Sequence, residues 1–138
     1  MPNIHVIENT LPVAPLRIAA LESCHHLAES VNDYIVDFRK TVNKEHLSSP
    51  IFSNYLKDNY LIDCEAPRFG TGEAKGVIKE TIRGKDLFVM VDVCNHNLTY
   101  TVNGRVNHMS PDDHYQDLKR IISAATGKAH RISVVMPF

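Results

Sequence analysis

Two short apolar runs with a helix signal between them constrain this chain more than anything else in it. The runs are Leu87-Phe88-Val89-Met90-Val91 and Arg131-Ile132-Ser133-Val134-Val135-Met136. Successive strand residues point to opposite faces, so an unbroken apolar run needs cover on both sides, as in a buried parallel strand. Between them Ser110-Pro111-Asp112-Asp113 supplies a cap, a proline suited to the first helical position and two acids at the positive end of the helix dipole. Leu118, Ile121, Ile122 and Ala125 then recur on one helical face, and Gly127 supplies the stop. Strand, helix and strand in this order predict a right-handed βαβ unit. The expected class is α/β, a mostly parallel sheet flanked by helices.

The first half supports that class. Residues 1–15 hold Pro2, Pro12 and Pro15 and read as an extended arm. Leu16 to Leu21 reads as a strand. Leu27, Val31, Tyr34, Ile35, Phe38 and Val42 form an apolar stripe on a predicted helix, with Ser23 as its N-cap. Ser49-Pro50 predicts a second, short helix that buries Phe52, Tyr55 and Leu56 and ends at Asn59. Tyr60 to Glu65 and Ala74 to Glu80 read as strands, and Arg83-Gly84-Lys85-Asp86 as a tight turn. Residues 94–109 are polar, and Asn103-Gly104 predicts a small hairpin.

Composition removes several function classes. The 138 residues suit one domain. With 43% hydrophobic and 22% charged residues, the chain is neither disordered nor collagen-like. A net charge of -1 argues against nucleic acid as a partner, because phosphate neutralisation needs clustered Lys and Arg. No apolar stretch approaches the length of a membrane span, and residues 1–5 lack the basic start of a signal peptide. Cys24, Cys64 and Cys94 are odd in number and widely spaced, which fits reduced thiols in a cytoplasmic protein.

Several constellations could carry chemistry. Arg68-Phe69-Gly70-Thr71-Gly72-Glu73 combines an aromatic face, two glycines, a hydroxyl and a carboxylate, the groups a purine needs for stacking and for its exocyclic amine. An ordinary glycine turn with a buried Phe explains the same residues. Arg83 precedes a buried strand and can grip phosphate bidentately, or it can simply be a solvated turn residue. Cys24-His25-His26 and Cys94-Asn95-His96, with His108 and His114, invite a zinc reading, but their spacings match no zinc motif. His25 and His26 are expected on the exposed side of the first helix. Asp112, Asp113 and Asp117 resemble paired catalytic acids, and the helix dipole explains their position equally well. No nucleophile-elbow, phosphate-loop or dinucleotide fingerprint is present.

Taken in order, the motifs resemble one family. Arg68 to Glu73, followed by Ile78-Lys79-Glu80-Thr81-Ile82-Arg83-Gly84-Lys85-Asp86-Leu87-Phe88-Val89, resembles the pattern "RFSDGE…ESVRGxDVFI" of ribose-phosphate pyrophosphokinase. Asp112 to Leu118 is similar to its "NDxLMEL" helix start, and Ala125 to Phe138 to its "AxAxRITAVIPYF" segment. The resemblance covers roughly residues 60–138. It implies a phosphoribosyltransferase-like N-terminal domain, here with a small hairpin insertion at 95–111. It also implies an enzyme that makes phosphoribosyl pyrophosphate and AMP from ATP and ribose 5-phosphate with Mg2+, acting as a homo-oligomer, a dimer or a hexamer built from dimers. Phe69, Thr71 and Glu73 would hold the adenine of ATP bound by a neighbouring subunit. Thr81 and Arg83 match residues that bind a regulatory phosphate or nucleotide. Gly70-Thr71 replaces the usual Ser-Asp or Ser-Asn, which turns one adenine acceptor into a hydroxyl.

The family's catalytic segments would begin after Phe138. Residues 1–138 are therefore expected to be an N-terminal domain truncated before the catalytic residues and inactive alone, with no tightly bound cofactor or metal. The alternative is a short, non-catalytic relative that regulates or assembles with a full-length synthetase.

Overall fold

A computed structural model describes residues 10–42 and 55–137. Strand β1 (Leu16–Ala20) leads through a 3-10 turn (Glu22–Cys24) into helix α1 (His25–Val42). Three short strands follow, β2 (Leu61–Ile62), β3 (Cys64–Glu65) and β4 (Val77–Ile78), and then β5 (Asp86–Met90). Strands β6 (Thr99–Val102) and β7 (Arg105–His108), helix α2 (Pro111–Ala125) and strand β8 (Arg131–Val135) complete the described chain.

The main sheet runs β2-β1-β5-β8 with every pairing parallel. From β1 the chain crosses through α1 to β2 on one side, and from β5 through α2 to β8 on the other. Crossovers of one hand that travel in opposite directions put their helices on opposite faces. The two cores show this arrangement. Leu118, Ile121 and Ala125 of α2 pack with Leu87, Val89 and Ala19, whereas Ala28 and Val36 of α1 pack with Ile18, Ala20 and Met90. The predicted α/β class and the βαβ unit are therefore present, with Leu87 and Val89 fully buried.

Several local expectations need correction. Leu27 and Tyr34 do not face the core; they are 43% and 71% exposed. The buried face of α1 is Ala28, Asn32 and Val36, continuing from Cys24 of the preceding turn, with Val31 and Ile35 at its margin. Small side chains let the helix lie close to the sheet, and Asn32 Oδ1 accepts the buried Tyr60 N–H at 2.8 Å. A hydrophobic stripe cannot reveal a polar residue that packs inward to satisfy a backbone donor.

Ser23 is not a side-chain cap. Its hydroxyl accepts the Asp92 N–H at 3.2 Å and its carbonyl accepts Asn95 Nδ2 at 3.1 Å, which ties the end of β1 to the segment after β5. The strand expected over 60–65 is split into β2 and β3 at Asp63, because the second half leaves the main sheet to pair antiparallel with β4. The strand expected over 74–80 shrinks to Val77–Ile78. Gly76 explains the close approach there: a Cβ would overlap the Arg120 carbonyl oxygen and stand 2.8 Å from the Ile121 nitrogen.

Strand β8 is also less buried than its composition suggests. Among the described residues it pairs on one side only, and Val134 and Met136 are 41% and 39% exposed. The helix expected from Ser49-Pro50 lies mostly outside the described residues, and Tyr55 to Asn59 are turn and irregular backbone.

The helix start at Ser110 and the Asn103-Gly104 hairpin match the prediction. Ser110 and Asp113 form a reciprocal capping box. Asn103 and Gly104 take φ of 51° and 75°, the left-handed pair that a two-residue hairpin turn requires.

Candidate functional site

The segment 66–74 leaves β3 and folds into a turn tied to itself by backbone. Arg68 bridges Ala74, the Phe69 N–H donates to the Glu73 carbonyl at 2.7 Å, and the Gly72 N–H donates to the Phe69 carbonyl at 2.9 Å. Gly72 has φ of 91°, where a side chain would be strained. Phe69, Thr71 and Glu73 are consequently displayed on one turn, all exposed, with Phe69 at 45%. The buried Phe of an ordinary glycine turn is not what forms here.

Arg68 anchors this turn from below. Its side chain is only 11% exposed, and Nη2 lies 3.0 Å from Asp117 Oδ2. Asp117 also accepts Arg120 Nη1 at 2.7 Å. The Arg68 guanidinium sits 4.5 Å from the centre of the Tyr100 ring, so hairpin β6–β7 closes over the pair. Asp117 is 5% exposed and is held by two arginines. Its role is therefore set by this ion-pair network and not by the helix dipole. Asp112 is exposed, and Asp113 belongs to the cap.

Thr81 and Arg83 are exposed on the turn before β5. They line a separate concavity of about 400 Å³ together with Lys75, Glu80 and Lys128. Three cations against one acid make it locally positive. Phe69, Thr71 and Glu73 are not part of it. The two predicted residue sets thus lie on different surfaces, joined by β4.

A further cleft opens at the carboxyl ends of β1 and β2 under the hairpin. Glu22, Asp63, Glu65, Tyr100 and His114 line it; of these the sequence motifs single out only His114, and that for a zinc reading. Lys79 Nζ bridges Asp63 and Glu65 at 3.1 Å each. Between those acids, burial pushes the Cys64 thiol up to about 11, with Asp63 and Glu65 adding to the rise and Lys79 opposing it. Local signals existed for part of this network, since Asp117 and Arg120 stand three apart on α2. None existed for Tyr100, which meets Arg68 only through the fold.

Cys24 is buried, Cys64 half-buried and Cys94 exposed, while His25 and His26 are exposed on α1. Among the described residues no group of three or more His, Cys, Asp and Glu could hold a metal ion. Among them, too, no helix is long and apolar enough to cross a membrane.

Fold and clefts together define a doubly wound α/β domain, an architecture that places ligands beyond the carboxyl ends of its strands. A family model for the N-terminal domain of ribose phosphate pyrophosphokinase matches residues 16–138, from the first residue of β1 onward, and the chain belongs to that family. A comparison with curated proteins finds no match.

Proposed function

We propose that this chain is the adenine-side, N-terminal domain of a ribose-phosphate diphosphokinase, in which Phe69, Thr71 and Glu73 receive the adenine of ATP bound by a neighbouring subunit of a homo-oligomer. The whole enzyme transfers diphosphate from ATP to ribose 5-phosphate, giving phosphoribosyl pyrophosphate and AMP for nucleotide biosynthesis in the cytoplasm. The observation that carries this reading is the outward display of Phe69, Thr71 and Glu73 on a turn fixed by its own backbone and anchored through Arg68. An aromatic face held ready in this way loses little conformational freedom on stacking. The locally positive concavity around Thr81 and Arg83, with Lys75 and Lys128, suits a regulatory phosphate.

Magnesium is the metal of this reaction, and the described residues gather no ligand set for it. No step is assigned to it in this domain. Transfer of this kind depends on positioning and charge neutralisation. The role assigned to this domain is to hold the adenine and to contact other subunits.

The test is a coupled assay of AMP formation dependent on ribose 5-phosphate. In the full-length enzyme, Phe69→Ala raises the KM for ATP roughly 5- to 100-fold with kcat little changed, as loss of one aromatic stack implies. Residues 1–138 alone form no AMP. AMP formation by the isolated chain, or an unchanged KM in the variant, sinks the proposal.

A further inference from the structure

The turn that displays Phe69, Thr71 and Glu73 is held at its base and open at its tip. A Cβ placed on Gly70 or Gly72 would meet nothing within 4 Å, so no neighbouring element packs against those positions. The backbone bonds between Phe69 and Glu73 and between Gly72 and Phe69 fix the shape of the turn. They join the turn only to itself, so they do not fix how it stands on the domain. Beyond the chain ends at β3 and β4, Arg68 makes that attachment. It bridges Ala74 through its backbone, and its Nη1 reaches the Gly72 carbonyl oxygen at 3.5 Å.

Two other elements grip the Arg68 guanidinium. Asp117 of α2 accepts Nη2 at 3.0 Å, and Asp113 Oδ1 lies 3.9 Å from the same nitrogen. From β6, the centre of the Tyr100 ring stands 4.5 Å from the guanidinium carbon. Arginine suits this place because its planar group pairs with a carboxylate and packs on an aromatic ring at once. The Arg68 side chain is 11% exposed and that of Asp117 8%, and a cation–π contact gains strength as water leaves it. Asp117 also accepts Arg120 Nη1 of its own helix, which fixes the carboxylate independently of the hairpin. The hairpin is tied less firmly: β6 and β7 pair with each other and with no strand of the main sheet. Tyr100 is half-buried, while Thr99, Thr101 and residues 103–108 are exposed. Tyr100 is thus the side chain through which the hairpin reaches the turn.

We propose that Tyr100 is a positioning residue for adenine: it holds the Arg68 guanidinium beside Asp117, fixes the stance of the Phe69 turn, and so lets the hairpin β6–β7 set the affinity for ATP. This role rests on the adenine reading above and adds to it a residue from a different element. The effect on affinity can be no larger than the contact that is lost, which puts it at about two- to thirtyfold.

Two measurements test the assignment. In the 15N-labelled 138-residue chain, Tyr100→Leu lowers the backbone order parameters of residues 70–73 from roughly 0.85 toward 0.6, while β1 and β5 keep theirs. Tyr100→Phe retains the ring and keeps the turn ordered. In the full-length enzyme, Tyr100→Leu raises the KM for ATP by about two- to thirtyfold, with kcat and the KM for ribose 5-phosphate unchanged. It adds nothing to Phe69→Ala in the double variant, because both act through the same ring. The proposal is overturned by unchanged order parameters in Tyr100→Leu, by loss of order in β1 and β5 as well, by an equal loss in Tyr100→Phe, or by KM effects that multiply in the double variant. A raised KM in Phe69→Ala beside an unchanged one in Tyr100→Leu sinks the role of Tyr100 alone. An unchanged KM in Phe69→Ala sinks the adenine reading, and the role of Tyr100 with it.

Discussion

Gly76 and Cys64 show how single residues take their meaning from what surrounds them. Gly76 lies against the backbone of α2 at Arg120 and Ile121, where no flexible side chain can yield. Gly76→Ala should therefore destabilise the domain by about 1–3 kcal/mol, the usual cost of overpacking, measured by urea denaturation. An unchanged midpoint would mean that α2 and β4 can separate freely. Cys64 donates to the Ala20 carbonyl at 3.3 Å and stays a thiol well above neutral pH, and burial with a neighbouring Asp92 raises Cys24 as well. With iodoacetamide at pH 8 in the folded state, exposed Cys94 should react first and Cys24 and Cys64 much more slowly, because the thiolate is the nucleophile. Peptide mapping showing equal labelling of all three would contradict this. At this scale the Phe69 turn was legible, since its aromatic, glycine, hydroxyl and acid are consecutive. The Arg68–Asp117–Arg120 cluster with Tyr100 was not, because its members come from a loop, a helix and a hairpin.

Among the elements, α2 was the most readable and α1 the least. Capping is local chemistry, and the Ser110-Pro111-Asp112-Asp113 start is realised with the Ser110 N–H and Oγ donating to Asp113 Oδ2 at 2.9 and 2.8 Å. Partial burial pushes the Asp113 carboxyl up, but the Ser110 backbone and hydroxyl donors, with the charge of Arg68, outweigh it and hold the carboxyl below its usual value. A depressed folded pKa stabilises above the unfolded value, about pH 4, and the stabilisation fades as pH falls through the folded value. Asp113→Ala should cost about 0.5–2 kcal/mol at pH 7, as cap removal does, and progressively less below about pH 4. Denaturation midpoints measured across that range would reveal a pH-independent loss if the carboxylate charge were irrelevant. For α1 the apolar pattern pointed to Leu27 and Tyr34, yet Ala28 and Asn32 face inward. Periodicity weighs side chains by hydrophobicity. Packing here selected small ones and one amide that satisfies Tyr60 N–H.

For the molecule as a whole, the order β2-β1-β5-β8 puts the most apolar strand in the interior and β8 at a side with no further described partner. Its register on β5 is pinned where Arg131 Nε donates to the buried Asp86 carboxylate at 2.8 Å, with Arg131 Nη2 on the other oxygen. Asp86→Asn weakens that charge-assisted pair. Amide exchange of residues 131–135 should then quicken while β1 and β5 remain protected; uniform exchange across the sheet would instead mean that β8 opens only with the whole fold. The α/β class, the capped helix, the hairpin and the family were determined by sequence alone, because capping, turn conformation and consecutive motifs depend on neighbours along the chain. The inward face of α1, the edge position of β8, the anchor beneath the Phe69 turn and the acid-lined cleft with His114 were decided only by tertiary structure. Each depends on distances between residues that the chain keeps far apart and only the packed sheet brings together.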